Sequence, residues 1–411
     1  MIRKLSLFSL VALIAVAVAC GGGSEMESMP ADEPAADAAP GPTTGDGTPM
    51  FEVDPFWPKP MPNNWLLGST IGVAVDSRDH VWVVHRGNLG ANEMPAALDP
   101  PFAEECCHPA PPILEFDPEG NLVGHWGGPG EGYDWPDSNH GIAVDSMDNV
   151  WIGGNGGADS HVLKFTRTGE FLLQVGEHDH EGPDSLSTTR YSQVAKVRYD
   201  ASSNEVYIAD GYGNRRVAVV DADTGELKRF WGAYGNEPSD DELPRYDLAN
   251  APAHGTVSTD MSGDPQFRQP VHCADPTNDG LVYACDRPGN RVQVFTTEGE
   301  FVEEIYLQTK TLGAGAVWDI AFSRDDDQTF AYVADGMNEK VHVLRRKPLE
   351  YLYSFGSGGR MAGQFYGTHS LEVDSQGNIY TTETYEGKRL QKFRYIGMGN
   401  LSGDVGVPRP Q

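Results

Sequence analysis

The chain has 411 residues, with 60 acidic and 30 basic side chains and a formal net charge of −30. A balance this acidic argues against a nucleic-acid partner, which needs a basic face, and against electrostatic binding to an anionic membrane surface. The length alone suggests two or three domains, but 48 Gly and 29 Pro beside 39% hydrophobic residues point to an all-β chain with many short connections and a real core.

Arg3 and Lys4 precede an apolar run, Leu5 to Val18, that ends in Ala17-Val18-Ala19-Cys20. The run is too short for a good spanning helix. It resembles a bacterial lipoprotein signal. Residues 1–19 are then expected to be removed, and Cys20 to carry a lipid that anchors an exported protein at the periplasmic face of a membrane or at the cell surface. A plain secretory signal with a leftover cysteine is the alternative. Residues 20–49 are rich in Gly, Ala, Pro, Asp and Glu and lack aromatics, so they form a linker that cannot bury a core.

From Met50 onward a four-strand unit repeats. Its second strand carries an aromatic within its first three positions: HVWVV (80–84), NVWIG (149–153), EVYIA (205–209), LVYAC (281–285), YVAD (332–335) and NIYTT (378–382). Each follows a first strand across a turn of Asp, Ser, Asn or Gly, the residues a tight hairpin requires. Third strands follow in all six units, from PILEF (112–116) to RLQKF (389–393), and a fourth in the first five. MFEVD (50–54) can supply the missing strand of the sixth. Six such units, closed by the N-terminal strand, predict a six-bladed β-propeller over residues 50–397, with a tail at 398–411.

Aligning the first strands on the residue five before the turn gives the column Ile71, His140, Ala195, His272, Trp318, His369. First strands line a propeller's axis, so histidines in alternate blades converge from about 120° apart. Three neutral imidazoles with an open position suit a catalytic Zn²⁺. Unrelated histidines along a wet axial channel are the alternative. The ends of the second strands rise to the same face and offer Arg86, Asp210-Gly211-Tyr212, Asp286-Arg287 and Asp335. Arginines there suit a carboxylate or oxyanion, unless they merely pair with Asp210 or Asp286. Tyr212 is a candidate proton acceptor, unless it is an aromatic cap on its turn.

The turns Ala209 to Val217 and Ala334 to Val341 resemble NHL repeats. With the histidine column, the chain resembles the peptidyl-α-hydroxyglycine α-amidating lyase domain, a six-bladed NHL propeller. That resemblance implies zinc on His140, His272 and His369, with Arg86, Tyr212 and Arg287 in the active site. It implies cleavage of an N-acyl-α-hydroxyglycine to a primary amide and glyoxylate, with Tyr212 taking the hydroxyl proton, Arg86 steadying the developing charge and Arg287 anchoring the substrate. It also implies a structural Ca²⁺ bound by an Asp after the third histidine. Here that residue is Ser370, so the resemblance does not carry calcium across, although backbone carbonyls around Ile142 remain as donors.

Cys106, Cys107, Cys273 and Cys285 make an even set in an exported chain and predict disulfides. Cys273 and Cys285 sit on adjacent strands of one hairpin and are favoured as a pair; cross-pairing would pin the long insertion 87–111 over the pocket. Cys106-Cys107-His108 as a second metal or redox feature, and His178 with His180 as a surface metal site, are weaker readings than a fastened lid and a solvated turn. The acidic insertion 233–265, with His254, is expected at the rim. The leading expectation is a monomeric lyase acting on a small or peptide-derived substrate. A non-catalytic propeller binding protein or glycan, and a lactonase-like hydrolase, are the alternatives, since this fold hosts all three.

Overall fold

The turn between the first two strands of a blade is built by its aspartate. The Asp76 carboxylate accepts the backbone N–H groups of Arg78 and His80 and the indole N–H of Trp82. Asp145 does the same for Met147, Asn149 and Trp151, and Asp374 accepts from Gln376, Asn378 and the Tyr380 hydroxyl. One side chain therefore closes the turn and fixes the blade's aromatic. Asp79, Asp148 and Gly377 in these turns have positive φ, a conformation Asp, Asn and Gly tolerate best.

The computed structural model describes residues 47–87, 107–179 and 181–410. The signal segment, Cys20, linker residues up to 46, residues 88–106 with Cys106, and His180 lie outside the described residues. Six antiparallel sheets follow one another along the chain. Their innermost strands are Thr70–Val75, Asn139–Val144, Lys196–Asp200, Val271–Pro276, Asp319–Phe322 and Thr368–Val373. Each lies beside the inner strands of two neighbours, and the sixth lies beside the first. The protein is a six-bladed β-propeller.

The core lies in the seams between blades. Trp82, Trp151, Tyr207, Tyr283, Tyr332 and Tyr380, the aromatics of the repeat, are each at most 1% exposed. Trp151 packs with Val197 and Val206 of the next blade, Tyr283 with Phe322 and Val333, and Tyr380 with Val83 of blade one. Burying side chains of this size contributes about 1.5–3 kcal/mol each, so every seam is held by the next blade's presence.

The ring closes as the sequence predicts. Thr48–Asp54 forms the outer strand of blade six, antiparallel to Leu390–Gly399, with Val53 opposite Phe393. The pairing starts two residues before Met50, because the Thr48 hydroxyl bonds Gly399 O and accepts Leu401 N–H. The tail is fastened too: Gly403–Asp404 pairs in parallel with the outer strand of blade five, and Pro408 O accepts Val53 N–H. Insertion 233–265 adds the short strand Val257–Ser258 outside blade four, and its His254 ring stacks edge-on to Tyr351. Cys273 and Cys285 face each other in the blade-four hairpin and form the favoured disulfide, both fully buried. Cys107 is also disulfide-bonded.

Candidate metal centre and active site

The three histidines of alternate blades do meet. Ring centroids lie 5.2 Å apart for His140–His272, 4.8 Å for His140–His369 and 4.9 Å for His272–His369, a nearly equilateral triangle. None is more than 3% exposed. One ligand nitrogen from each lies within 4.8 Å of the others.

The intervening blades decide which nitrogen that is. His140 Nδ1 lies 2.5 Å from the carbonyl of Ala195, and His272 Nδ1 lies 2.5 Å from that of Trp318. His369 hydrogen-bonds the backbone of Ile71. A carbonyl only accepts, so Nδ1 carries the proton at His140 and His272, and the bare Nε2 turns inward. Burial holds all three imidazoles well below the ordinary histidine value, and the mutual proximity of the rings and the charges of Arg86 and Arg287 add to it. They are neutral donors at neutral pH, the form that binds a metal.

Tyr212 stands over this triangle. Its hydroxyl is 3.2 Å from His140 Nε2 and 3.1 Å from His272 Nε2. Arg287 Nη1 donates to the same oxygen at 3.1 Å, and its guanidinium stacks on the Trp318 ring at 4.5 Å. Arg86 reaches in from blade one, donating to Asn155 Oδ1 at 2.7 Å and to Asn139 O at 3.3 Å. Burial pulls its guanidinium below the ordinary value, with Tyr212 and Tyr385 opposing.

Neither arginine has a carboxylate partner among the described residues. The aspartates that could have neutralised them turn into the blades. Asp210 pairs with Arg216 at 2.8 Å, Asp286 with Arg291 at 2.9 Å, and Asp335 with His342 at 2.9 Å. Arg287 Nε is buried with no hydrogen-bond partner. In a chain of charge −30, two guanidiniums without a contact-distance carboxylate among the described residues, Arg86 feeling Asp159 only at longer range, face three neutral imidazoles and suit an anion.

The first-strand column found the histidines, and the ends of the second strands found Tyr212 and both arginines. It missed the holders: the carbonyls of Ala195, Trp318 and Ile71, the Trp318 ring beneath Arg287, and Asn155 and Asn139 beside Arg86. Ile71, Ala195 and Trp318 were nevertheless the odd-blade members of that same column. His178 Nε2 stands 3.6 Å from Asp137 and from Asp159, and one ligand atom from each of the three lies within 4.8 Å of the others, although Asp159 also accepts the N–H groups of Asp137, Ser138 and Gly156; His180 lies outside the described residues. Cys107, being disulfide-bonded, offers no thiolate, and His108 is exposed on a short strand.

The donors fit a transition metal of imidazole preference. They do not fit a calcium ion next to the third histidine: Ser370 offers only a hydroxyl, which donates to Ile71 O at 3.2 Å.

No family model matches the chain. It is 25% identical to mouse NHL repeat-containing protein 3 over 367 residues, 84% of each chain. It is 24% identical to peptidyl-alpha-hydroxyglycine alpha-amidating lyase 1 of Drosophila melanogaster over 365 residues, 82% of this chain and 58% of that protein. Among solved structures a streptogramin B lyase aligns over 84% of this chain and 98% of its own, at 13% identity and a TM-score of 0.46. By blade architecture the protein is a six-bladed β-propeller, and its sequence is similar to an NHL repeat-containing protein and to the amidating lyases.

Proposed function

We propose that the protein is a zinc-dependent carbon–nitrogen lyase of the amidating-lyase kind, exported as a lipoprotein anchored through Cys20. One observation carries the reading: a phenol hydroxyl, two guanidiniums without a salt-bridge partner and three buried imidazoles converge on one site. The similarity to the Drosophila lyase supports the reaction class, and the Ala17-to-Cys20 sequence supports the anchor.

His140, His272 and His369 would hold the zinc, which when bound would supply Lewis-acid stabilisation to an oxygen losing its proton. The residues do the rest. Arg86 and Arg287 hold the carboxylate of an N-acyl-α-hydroxyglycine, with Arg287 fixed by the Trp318 ring. Acting as its phenolate, Tyr212 Oη takes the hydroxyl proton. The O–H electron pair becomes the second bond of the glyoxylate carbonyl, the C–N pair leaves on nitrogen, and that nitrogen takes the same proton back from Tyr212 to give the primary amide and restore the phenolate. Because Arg287 donates to the Tyr212 oxygen, one guanidinium can serve both substrate and base.

A second reading, a non-catalytic surface propeller, draws on the match to NHL repeat-containing protein 3, which spans most of both chains. The test is glyoxylate release from an N-acyl-α-hydroxyglycine by zinc-loaded protein. Release abolished by Tyr212→Phe supports the lyase; a folded, zinc-loaded protein that releases none supports the binding module.

A further inference from the structure

Below the histidines the axis holds buried charge. Lys196, one residue after Ala195, sends its ammonium across the ring from blade three. It donates to Asp275 of blade four at 2.9 and 3.1 Å, to Asp319 of blade five at closer range, and to Ile320 O at 3.3 Å. Three N–H bonds are thus met by three residues. Lys196 is 6% exposed, Asp275 0% and Asp319 1%. The other Asp319 oxygen accepts Leu371 N–H of blade six at 3.1 Å. Arg198 bridges Asp275 and Glu372, and Arg324 also reaches Glu372, so three cations face three carboxylates.

Asp275 and Asp319 hold ligand oxygens close enough together for a divalent cation. Cys273, whose sulfur lies within 4.8 Å of these oxygens, is in a disulfide and cannot serve as a thiolate. Two converging buried carboxylates need a positive charge between them, and here a side chain provides it.

We propose that the Lys196 ammonium is the resident cation of the axial channel, linking blades three, four, five and six in the role a structural divalent ion would otherwise fill, so that the propeller folds and stays closed without calcium. A tethered ammonium cannot be lost to a chelator or to dilution, whereas a bound ion stabilises only in proportion to its free concentration. The inference stands apart from the chemistry at the histidines, and its test reads calcium rather than turnover.

The experiment compares wild type with Lys196→Ala, both dialysed into calcium-free buffer containing zinc, then melted with and without about 1 mM CaCl₂. Wild type is expected to bind no calcium and to melt at one temperature in both buffers. Lys196→Ala, with the Asp275–Asp319 pair vacated, is expected to melt lower without calcium, to regain several degrees with it, and to bind about one ion per chain by calorimetry. Wild type that gains stability from calcium overturns the proposal, and this arm decides even if the variant fails to fold. A Lys196→Ala protein as stable as wild type in calcium-free buffer overturns it as well.

Discussion

The His140 imidazole reaches across a blade boundary to the Ala195 carbonyl, Nδ1 to oxygen at 2.5 Å. Ala195 has no functional side chain, yet its position in the next blade fixes the proton on Nδ1 and leaves Nε2 for the axis. The His272–Trp318 contact repeats the arrangement, and His369 bonds the Ile71 backbone. The geometry of the histidine triad is therefore set by blade packing, and a substitution that shifts one of these seams is expected to be felt at the centre.

Tyr212→Phe removes the proposed proton acceptor without replacing a histidine. Glyoxylate release is expected to fall about 10²- to 10⁴-fold in kcat, with zinc content unchanged. Zinc lost together with activity would mean that the hydroxyl holds the triad rather than the proton.

Arg287→Lys keeps a charge but loses the planar fork and the stacking on Trp318. Activity is expected to drop about 10²-fold or more, with thermal stability close to wild type. Steady-state kinetics beside a melting curve separates the two.

Ring closure depends on the first strand. Phe51 is 6% exposed and packs on Tyr332 and Phe355 at centroid distances of 5.5 and 5.6 Å. Phe51→Ala is expected to cost about 3–5 kcal/mol in urea unfolding. A change within error would show that closure does not limit stability.

Blades four and five are tied by Asp279. Burial pushes its carboxyl up, but bonds from Lys347 and Thr277 and the charge of Arg346 outweigh this and hold it at about 2. The folded value lies below the unfolded one, so this tie is at full strength above the ordinary carboxylate range and is lost as pH falls toward about 2. Melting temperature is expected to fall over that window, and Asp279→Asn to lower it at neutral pH while flattening the acid slope.

The Cys273–Cys285 bond closes a loop with a sequence separation of 12. Replacing both cysteines with alanine is expected to cost about 3 kcal/mol in denaturant. Since both sulfurs are buried, mild reductant is expected to leave the native protein oxidised.

Much of this was legible because a propeller writes its geometry in register. The repeat fixed the inner strands, and a single column then brought His140, His272 and His369 together although they are far apart in sequence. Arg86, Tyr212 and Arg287 followed from the ends of the second strands. Asp210, Asp286 and Asp335 share those strand ends but pair inward with Arg216, Arg291 and His342, a choice of rotamer that spacing does not encode. Lys196 was overlooked because its partners, Asp275 and Asp319, lie in two other blades and meet it only when the ring closes. The pairing at Thr48 and along Gly403–Asp404 was missed for the same reason: short polar segments show no alternation until a neighbouring edge strand recruits them.

The most direct measurement is elemental analysis of purified protein prepared without chelator, wild type beside His140→Ala/His272→Ala. The account predicts about one zinc per chain in the wild type and none in the folded variant. Folded wild-type protein that holds no metal and takes up none from added zinc would contradict it.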